Sequence, residues 1–158
     1  MPMKTAKKLC PEAITIRGDT GTYSKYSNLV TDIIKEKVPV FEKASIDEFY
    51  ADLSGMDAFF GSYKYASELR QQIIKETGLP ISFGMSQNKM VSKVATGEAK
   101  PNNQLLIDPG FEKLFLAPLS IRKIPSVGNK TYQTLRNLGV DKVKVIQEMP
   151  LEMMISVL

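Results

Sequence analysis

Histidine is absent from the 158 residues, and cysteine occurs once, at Cys10. The first absence excludes Ser-His-Asp and Cys-His nucleophilic mechanisms, leaving carboxylates, lysines and bound metal as the available chemistry. The second excludes an internal disulfide framework, and the two together exclude a zinc site of the usual nitrogen and sulfur kind. Any metal here is expected to be held by oxygen. No apolar run approaches membrane-spanning length and the N-terminus lacks a signal-peptide stretch, so a cytoplasmic location with no membrane partner is the expectation. Internal repeats and low-complexity segments are also missing. What is present is a globular composition, 43% apolar, sufficient for one domain with or without a small appendage. Lys and Arg number 21 against 17 Asp and Glu, a net charge of +4 that permits a polyanionic partner without requiring one.

"PMKTAKKL" reads as a helix without a capping sequence ahead of it, and "AITI" (13 to 16) as a short strand. Tyr23, Tyr26, Val30, Ile33, Ile34 and Val38 recur at spacings of three and four, predicting one buried helical face that ends before Pro39. "VFEKASI" and "EFYADL" predict two strands with Asp47 and Glu48 at their junction. A helix from about 57 to 77 follows, with Phe60, Leu69, Ile73 and Ile74 as its apolar side and Gly78 as its stop. "PISFGMS" predicts another strand, and Ser86 or Asn88 the cap of a helix running to about Gly97. Strand, helix, strand, strand, helix, strand is the order of an α+β, ferredoxin-like antiparallel sheet with its helices on one face. After "KPNNQLLIDP", a turn and short strand, the chain changes near Pro109 to short helical pieces that form a second, smaller unit.

Three stretches carry residues suited to chemistry. In one continuous strand Asp47 and Glu48 would point to opposite faces, one of them into a core that cannot accept an unpaired carboxylate. At a hairpin tip both can project from the same end of the sheet, where a divalent cation would cancel their repulsion; a hydrated turn accounts for the same residues. In "GMSQNKMVSKVATGEAKPNNQ", Lys89 and Lys93 lie four apart on a helix flank and Lys100 stands before Pro101, three ammonium groups expected to converge on one end. They suit phosphate binding or, equally, a solvated basic face. In "IPSVGNKTYQTLRNLGV", a tight turn at Gly128 followed by a helix bearing Leu135 and Leu138 has the pattern of a helix-hairpin-helix. Its turn amides and Lys130 can meet a DNA backbone phosphate, although αα-hairpins also serve packing.

Taken together, these stretches resemble the Y-family (translesion) DNA polymerases, most closely the DNA polymerase IV branch. "SIDEFYADLSG" resembles the family's Ser-Ile-Asp-Glu motif, and "SFGMSQNKMVSKVATGEAKPNNQ" its Asn-Lys, Lys-(Ile/Val)-Ala and Lys-Pro-Asn signature. "IPSVGNKTYQTLRNLGV" resembles its thumb hairpin and "MPMKTAKKLCPEAI" the end of its fingers, so the match is collinear over practically the whole chain. The resemblance implies a fingers remnant at 1–18, a palm at 19–108 and part of a thumb at 109–158. It implies primer-template DNA and dNTP as partners, a sliding clamp reached through regions outside this chain, and two Mg2+ ions as cofactor. Asp47 and Glu48 would be catalytic, metal-binding carboxylates; Lys100 and Lys93 would contact the triphosphate; Val127, Gly128 and Lys130 would grip the duplex. The implied reaction is nucleotidyl transfer from dNTP to the primer 3′-hydroxyl in DNA repair.

The departures are also specific. The family's first palm strand, with another metal-binding Asp, the following steric gate and the fingers Tyr and Arg, have no counterpart in the chain; nor has the little-finger domain. By that comparison the chain is a fragment, expected to be inactive alone, "AITI" belongs to the fingers and the palm sheet lacks a strand. Ser126 replaces the first glycine of the thumb turn, and Asn103 stands where Gly often follows Lys-Pro-Asn. Two other readings compete: a non-catalytic helix-hairpin-helix DNA-binding module, and a palm-like nucleotide cyclase, which gives no reason for the thumb-like hairpin.

Overall fold

A computed structural model of the chain describes residues 1–56 and 61–157. The chain opens with α1 (Met3–Leu9), a helix that buries none of its residues. The expected strand "AITI" is not formed: residues 13–16 carry no strand hydrogen bonds, and Ile14 and Ile16 are 89% and 85% exposed. A strand needs a neighbour for its backbone groups, and apolar content alone supplies none.

Helix α2 (Thr20–Lys37) starts at Asp19, whose carboxylate accepts from the Thr22 N–H at 3.1 Å and the Thr22 hydroxyl at 2.6 Å. Those two bonds hold the Asp19 carboxyl below its usual value. The helix ends as predicted, with Val38 extended ahead of Pro39. Its buried face is Ser27, Val30, Ile33 and Ile34, whereas Tyr23 and Tyr26 are exposed, contrary to the periodicity. The spacing found the correct stripe, but every buried position lies at or beyond Ser27, so the first turns project past the core.

Strands β1 (Val40–Lys43) and β2 (Phe49–Asp52) form an antiparallel hairpin pairing Val40 with Asp52 and Lys43 with Phe49. Helix α3 (Ser62–Thr77) packs with α2 behind it and ends at Gly78 in the left-handed region, φ 71°. Phe60, expected on the apolar side of that helix, lies outside the described residues; Ile73 is buried, and Leu69 packs against the same core. Next come β3 (Phe83–Met85), α4 (Lys89–Ala99) and β4 (Gln104–Leu106). Asn88 caps α4 by accepting the Val91 N–H at 2.9 Å.

The α+β class agrees with expectation, but a single antiparallel sheet does not. Strands β3 and β4 are parallel, Phe83 pairing with Gln104 and Met85 with Leu106, and they form a sheet separate from the β1–β2 hairpin. A helix that returns the chain to the same end of the sheet imposes parallel pairing, whereas a tight turn imposes antiparallel pairing. The remaining elements are α5 (Glu112–Leu116), a 3-10 turn (Ile121–Lys123), α6 (Asn129–Asn137), α7 (Val143–Glu148) and α8 (Leu151–Val157).

Two hydrophobic cores result. One joins α2, the hairpin and α3 through Val30, Ile33, Ile34, Val38, Leu53 and Ile73. The other joins α4 to the C-terminal helices through Val91, Val94, Ala95, Ile121, Leu135 and Val143. Helix α4 therefore has its apolar side in the second core while its lysine flank turns toward the hairpin of the first. Among the described residues no helix is long and apolar enough to cross a membrane.

Candidate functional site

Asp47 and Glu48 occupy the tip of the β1–β2 hairpin. The turn is closed by the Ala44 and Ser45 N–H groups, which both donate to the Glu48 carbonyl, at 3.0 and 3.2 Å. Both side chains are exposed, so neither carboxylate bears the desolvation that a core position would impose. They have different partners. The Asp47 carboxylate accepts from the Ser45 hydroxyl at 2.7 Å, within the turn. Glu48 reaches across to α4, where the Lys93 ammonium donates to Oε2 at 2.8 Å.

One turn earlier on α4, Lys89 makes the parallel connection to Glu42 of β1 and stands 5.4 Å from the centre of the Tyr50 ring. Two lysines four apart on a helix thus meet two glutamates of one hairpin. The Lys93 ammonium is held above the ordinary lysine value, first by the Glu48 hydrogen bond. Desolvation opposes this, and the charges of Glu48, Tyr50 and Asp47 add to it. A single ammonium group therefore senses both tip carboxylates.

Lys100 does not join them. It caps the C-terminus of α4, seven residues beyond Lys93, a rise of about 10 Å along the helix axis. The expected convergence of three lysines is replaced by a pair at the hairpin and a separate, exposed cation at the far end. The turn after Lys100 is held by Arg70 of α3, which sequence reasoning missed. Arg70 is 9% exposed, and its guanidinium donates to the Ile81 carbonyl at 2.7 Å and to the Asn102 carbonyl and side chain at 2.7 and 2.8 Å. Backbone carbonyls as partners leave no signature in a sequence. Glu42 left no comparable signal, because facing across a hairpin depends on the turn length; the register that pairs it with Tyr50 brings it to Lys89.

In the C-terminal unit, Val127 is half-buried while Gly128 and Lys130 are exposed at the start of α6. No side chain caps this helix, and the space where a Gly128 side chain would stand is open. The guanidinium of Arg122 lies 3.9 Å from the centre of the Tyr132 ring, fixing the preceding 3-10 turn against α6. Ser126 adopts φ 69°, the left-handed conformation that a glycine would take without strain. Holding a serine in that conformation carries an energetic cost. Ser126→Gly is expected to raise stability by up to about 1 kcal/mol, the relief of strain being partly offset by a freer unfolded chain. A urea midpoint that falls on this change would contradict that conformation.

An antiparallel hairpin with an acidic tip, a βαβ unit whose helix faces it, and a helical appendage together superpose on part of solved Y-family DNA polymerase structures. DinB from Sulfolobus solfataricus superposes with a TM-score of 0.84 at 26% identity, over 99% of this chain and 47% of that one. The insertion ternary complex of Dbh DNA polymerase gives 0.82 at 26% identity, over 99% and 46%. The family model for impB/mucB/samB proteins matches residues 1–97, and the chain belongs to that family. Among curated relatives, a DNA polymerase IV of Dehalococcoides mccartyi (strain BAV1) is 39% identical over 151 residues, 95% of this chain and 39% of its own length. One from Treponema denticola is 36% identical over 147 residues, 92% and 37%. The chain thus spans well under half the length of these relatives.

Proposed function

We propose that the chain is the palm and part of the thumb of a cytoplasmic, template-directed DNA polymerase of the translesion class, with 1–18 from the fingers, 19–108 palm and 109–158 thumb. The observation that carries this reading is the acidic tip, Asp47 and Glu48, held opposite the α4 lysines in a chain of this family. Primer-template DNA and dNTP are the partners it supports, with a sliding clamp contacted from outside these residues.

The donor set at the tip suits a hard cation. Mg2+ takes one or two carboxylates and completes its shell with water and substrate phosphates, so two exposed oxygen ligands on one hairpin are chemically apt. Among the described residues no group of three or more His, Cys, Asp or Glu forms a closed cage. When bound, Mg2+ would supply Lewis acidity toward the primer hydroxyl and the triphosphate. The protein's own part is to present the Asp47 and Glu48 carboxylates together at the reacting end. Lys93 and Lys100 present cations to the triphosphate along α4, and the α6 start, with Val127, Gly128 and Lys130, offers amides and charge to the duplex backbone.

The test is a chimera in which these 158 residues replace the matching segment of a DNA polymerase IV relative. Asp47→Asn or Glu48→Gln should lower primer extension at least about a hundredfold while leaving duplex binding nearly unchanged. Extension unaffected by both changes would favour the rival reading, a helix-hairpin-helix module that only binds DNA. The 158 residues by themselves are expected to give no extension, because two carboxylates fall short of a two-metal site.

A further inference from the structure

Two carboxylates side by side at an exposed turn repel each other, and in this chain one of them is already matched by a cation of the protein. Glu48 and Lys93 are 2.8 Å apart, with side chains 45% and 41% exposed, so the pair is accessible to solvent and can open without unfolding anything around it. Lys93 is carried by a helix whose position is fixed independently of the hairpin: Val91, Val94 and Ala95 are buried in the second core, and α4 lies directly on Gly84 of β3. Asp47 is turned back on Ser45. Lys89 repeats the arrangement with Glu42 one turn away, outside the acidic tip, and supplies an internal comparison.

We propose that Lys93 is a positioning residue that stands in for the divalent cation at the hairpin tip, holding Glu48 toward α4 and competing with the metal for its carboxylate. The inference rests on the tip being the cation site proposed above. A cation that takes Glu48 must break the ion pair, so its affinity is set partly by Lys93, and the tip is kept from collecting cations indiscriminately. The same contact keeps the carboxylate in place before a metal arrives, so binding needs a change of partner and not a search for a conformation.

The probe is Tb3+, a hard, oxygen-seeking cation whose luminescence is sensitised by nearby tyrosine, here Tyr50, two residues from Glu48. It is titrated into the 158-residue chain near neutral pH. Lys93→Gln removes the charge and keeps most of the side-chain length, and should tighten Tb3+ binding about threefold or more, the scale of an exposed ion pair. Lys93→Arg retains the charge and should bind as the unmodified chain does. Lys89→Gln removes an equal charge from the same helix and should give a clearly smaller gain. Far-UV circular dichroism and melting temperature should be the same for all three, which a purely structural role for Lys93 would not predict alongside a changed affinity.

Equal gains for Lys93→Gln and Lys89→Gln, or no gain for Lys93→Gln, would overturn the competition. Glu48→Gln separates this from failure of the site itself. If Glu48→Gln weakens Tb3+ binding while Lys93→Gln does not tighten it, only the role of Lys93 falls. If Glu48→Gln binds as tightly as the unmodified chain, or no variant gives a saturable signal, these residues do not hold the cation by themselves and the competition falls, while primer extension by the chimera decides the polymerase reading separately.

Discussion

Gly84→Ala is expected to destabilise the chain by about 3 kcal/mol or more, a large share of the total for a domain of this size. A Cβ at this position would lie 2.4 Å from the Thr96 nitrogen, 2.5 Å from the Ala95 Cβ and 2.5 Å from the Ser92 carbonyl oxygen. Two of those atoms belong to the backbone of α4, so no side chain can rotate away to make room. The Gly84 N–H also donates to the Thr96 hydroxyl at 2.7 Å, and that hydroxyl donates to the Ser92 carbonyl at 2.9 Å. Accommodating one methyl would push α4 off β3 by the better part of an ångström or more, opening the core around Val91, Val94 and Ala95 and displacing Lys89 and Lys93 from the hairpin. A urea midpoint at unchanged slope measures the loss. A shift corresponding to less than about 1 kcal/mol would mean that α4 does not approach β3 this closely.

Ile121→Ala is expected to cost about 2 to 4 kcal/mol, from lost burial and the cavity left behind. Ile121 is fully buried at 0% exposure, in the 3-10 turn between α5 and α6. Its backbone is held on both sides: its N–H donates to the Asp141 carbonyl at 3.0 Å, and its carbonyl accepts the Ile124 N–H at 3.1 Å. With the backbone held in this way the site cannot collapse onto a smaller side chain, which places the cost in the upper part of that range. Ile14→Ala provides the contrast. The same residue type, 89% exposed in the N-terminal segment, should change stability by no more than about 0.5 kcal/mol. Equal effects at the two positions in a denaturation series would contradict the assignment of the core.

The difference between Ile121 and Ile14 shows where local reading of the sequence stops. Both are isoleucines with a second isoleucine two or three residues on, and hydrophobicity alone placed "AITI" in a strand. No neighbour pairs with it among the described residues. The α2 stripe was legible because a period of 3.6 is a property of the helix itself, and Asn88, Gly78 and Pro39 mark ends through side-chain capping, a left-handed backbone and a missing N–H. Tyr23 and Tyr26 were misplaced because the stripe does not say how far its partner extends. The hairpin with Asp47 and Glu48 at its tip followed from electrostatics, since a carboxylate pair is tolerated at a turn and excluded from a strand interior.

What the sequence by itself determined was most of the local elements, with "AITI" the exception, the exclusion of histidine-dependent chemistry and of an internal disulfide, and the three ordered motifs whose spacing points to one family. The tertiary structure decided the rest. It paired β3 with β4 in parallel, brought Lys93 to Glu48 and Lys89 to Glu42, left Lys100 apart, and set Arg70 under the turn that follows it. Local elements follow from torsional preferences and capping within a few residues. Contacts between segments some 45 residues apart, such as Glu48 and Lys93, exist only once packing at Gly84 and two separate cores has fixed where each helix lies.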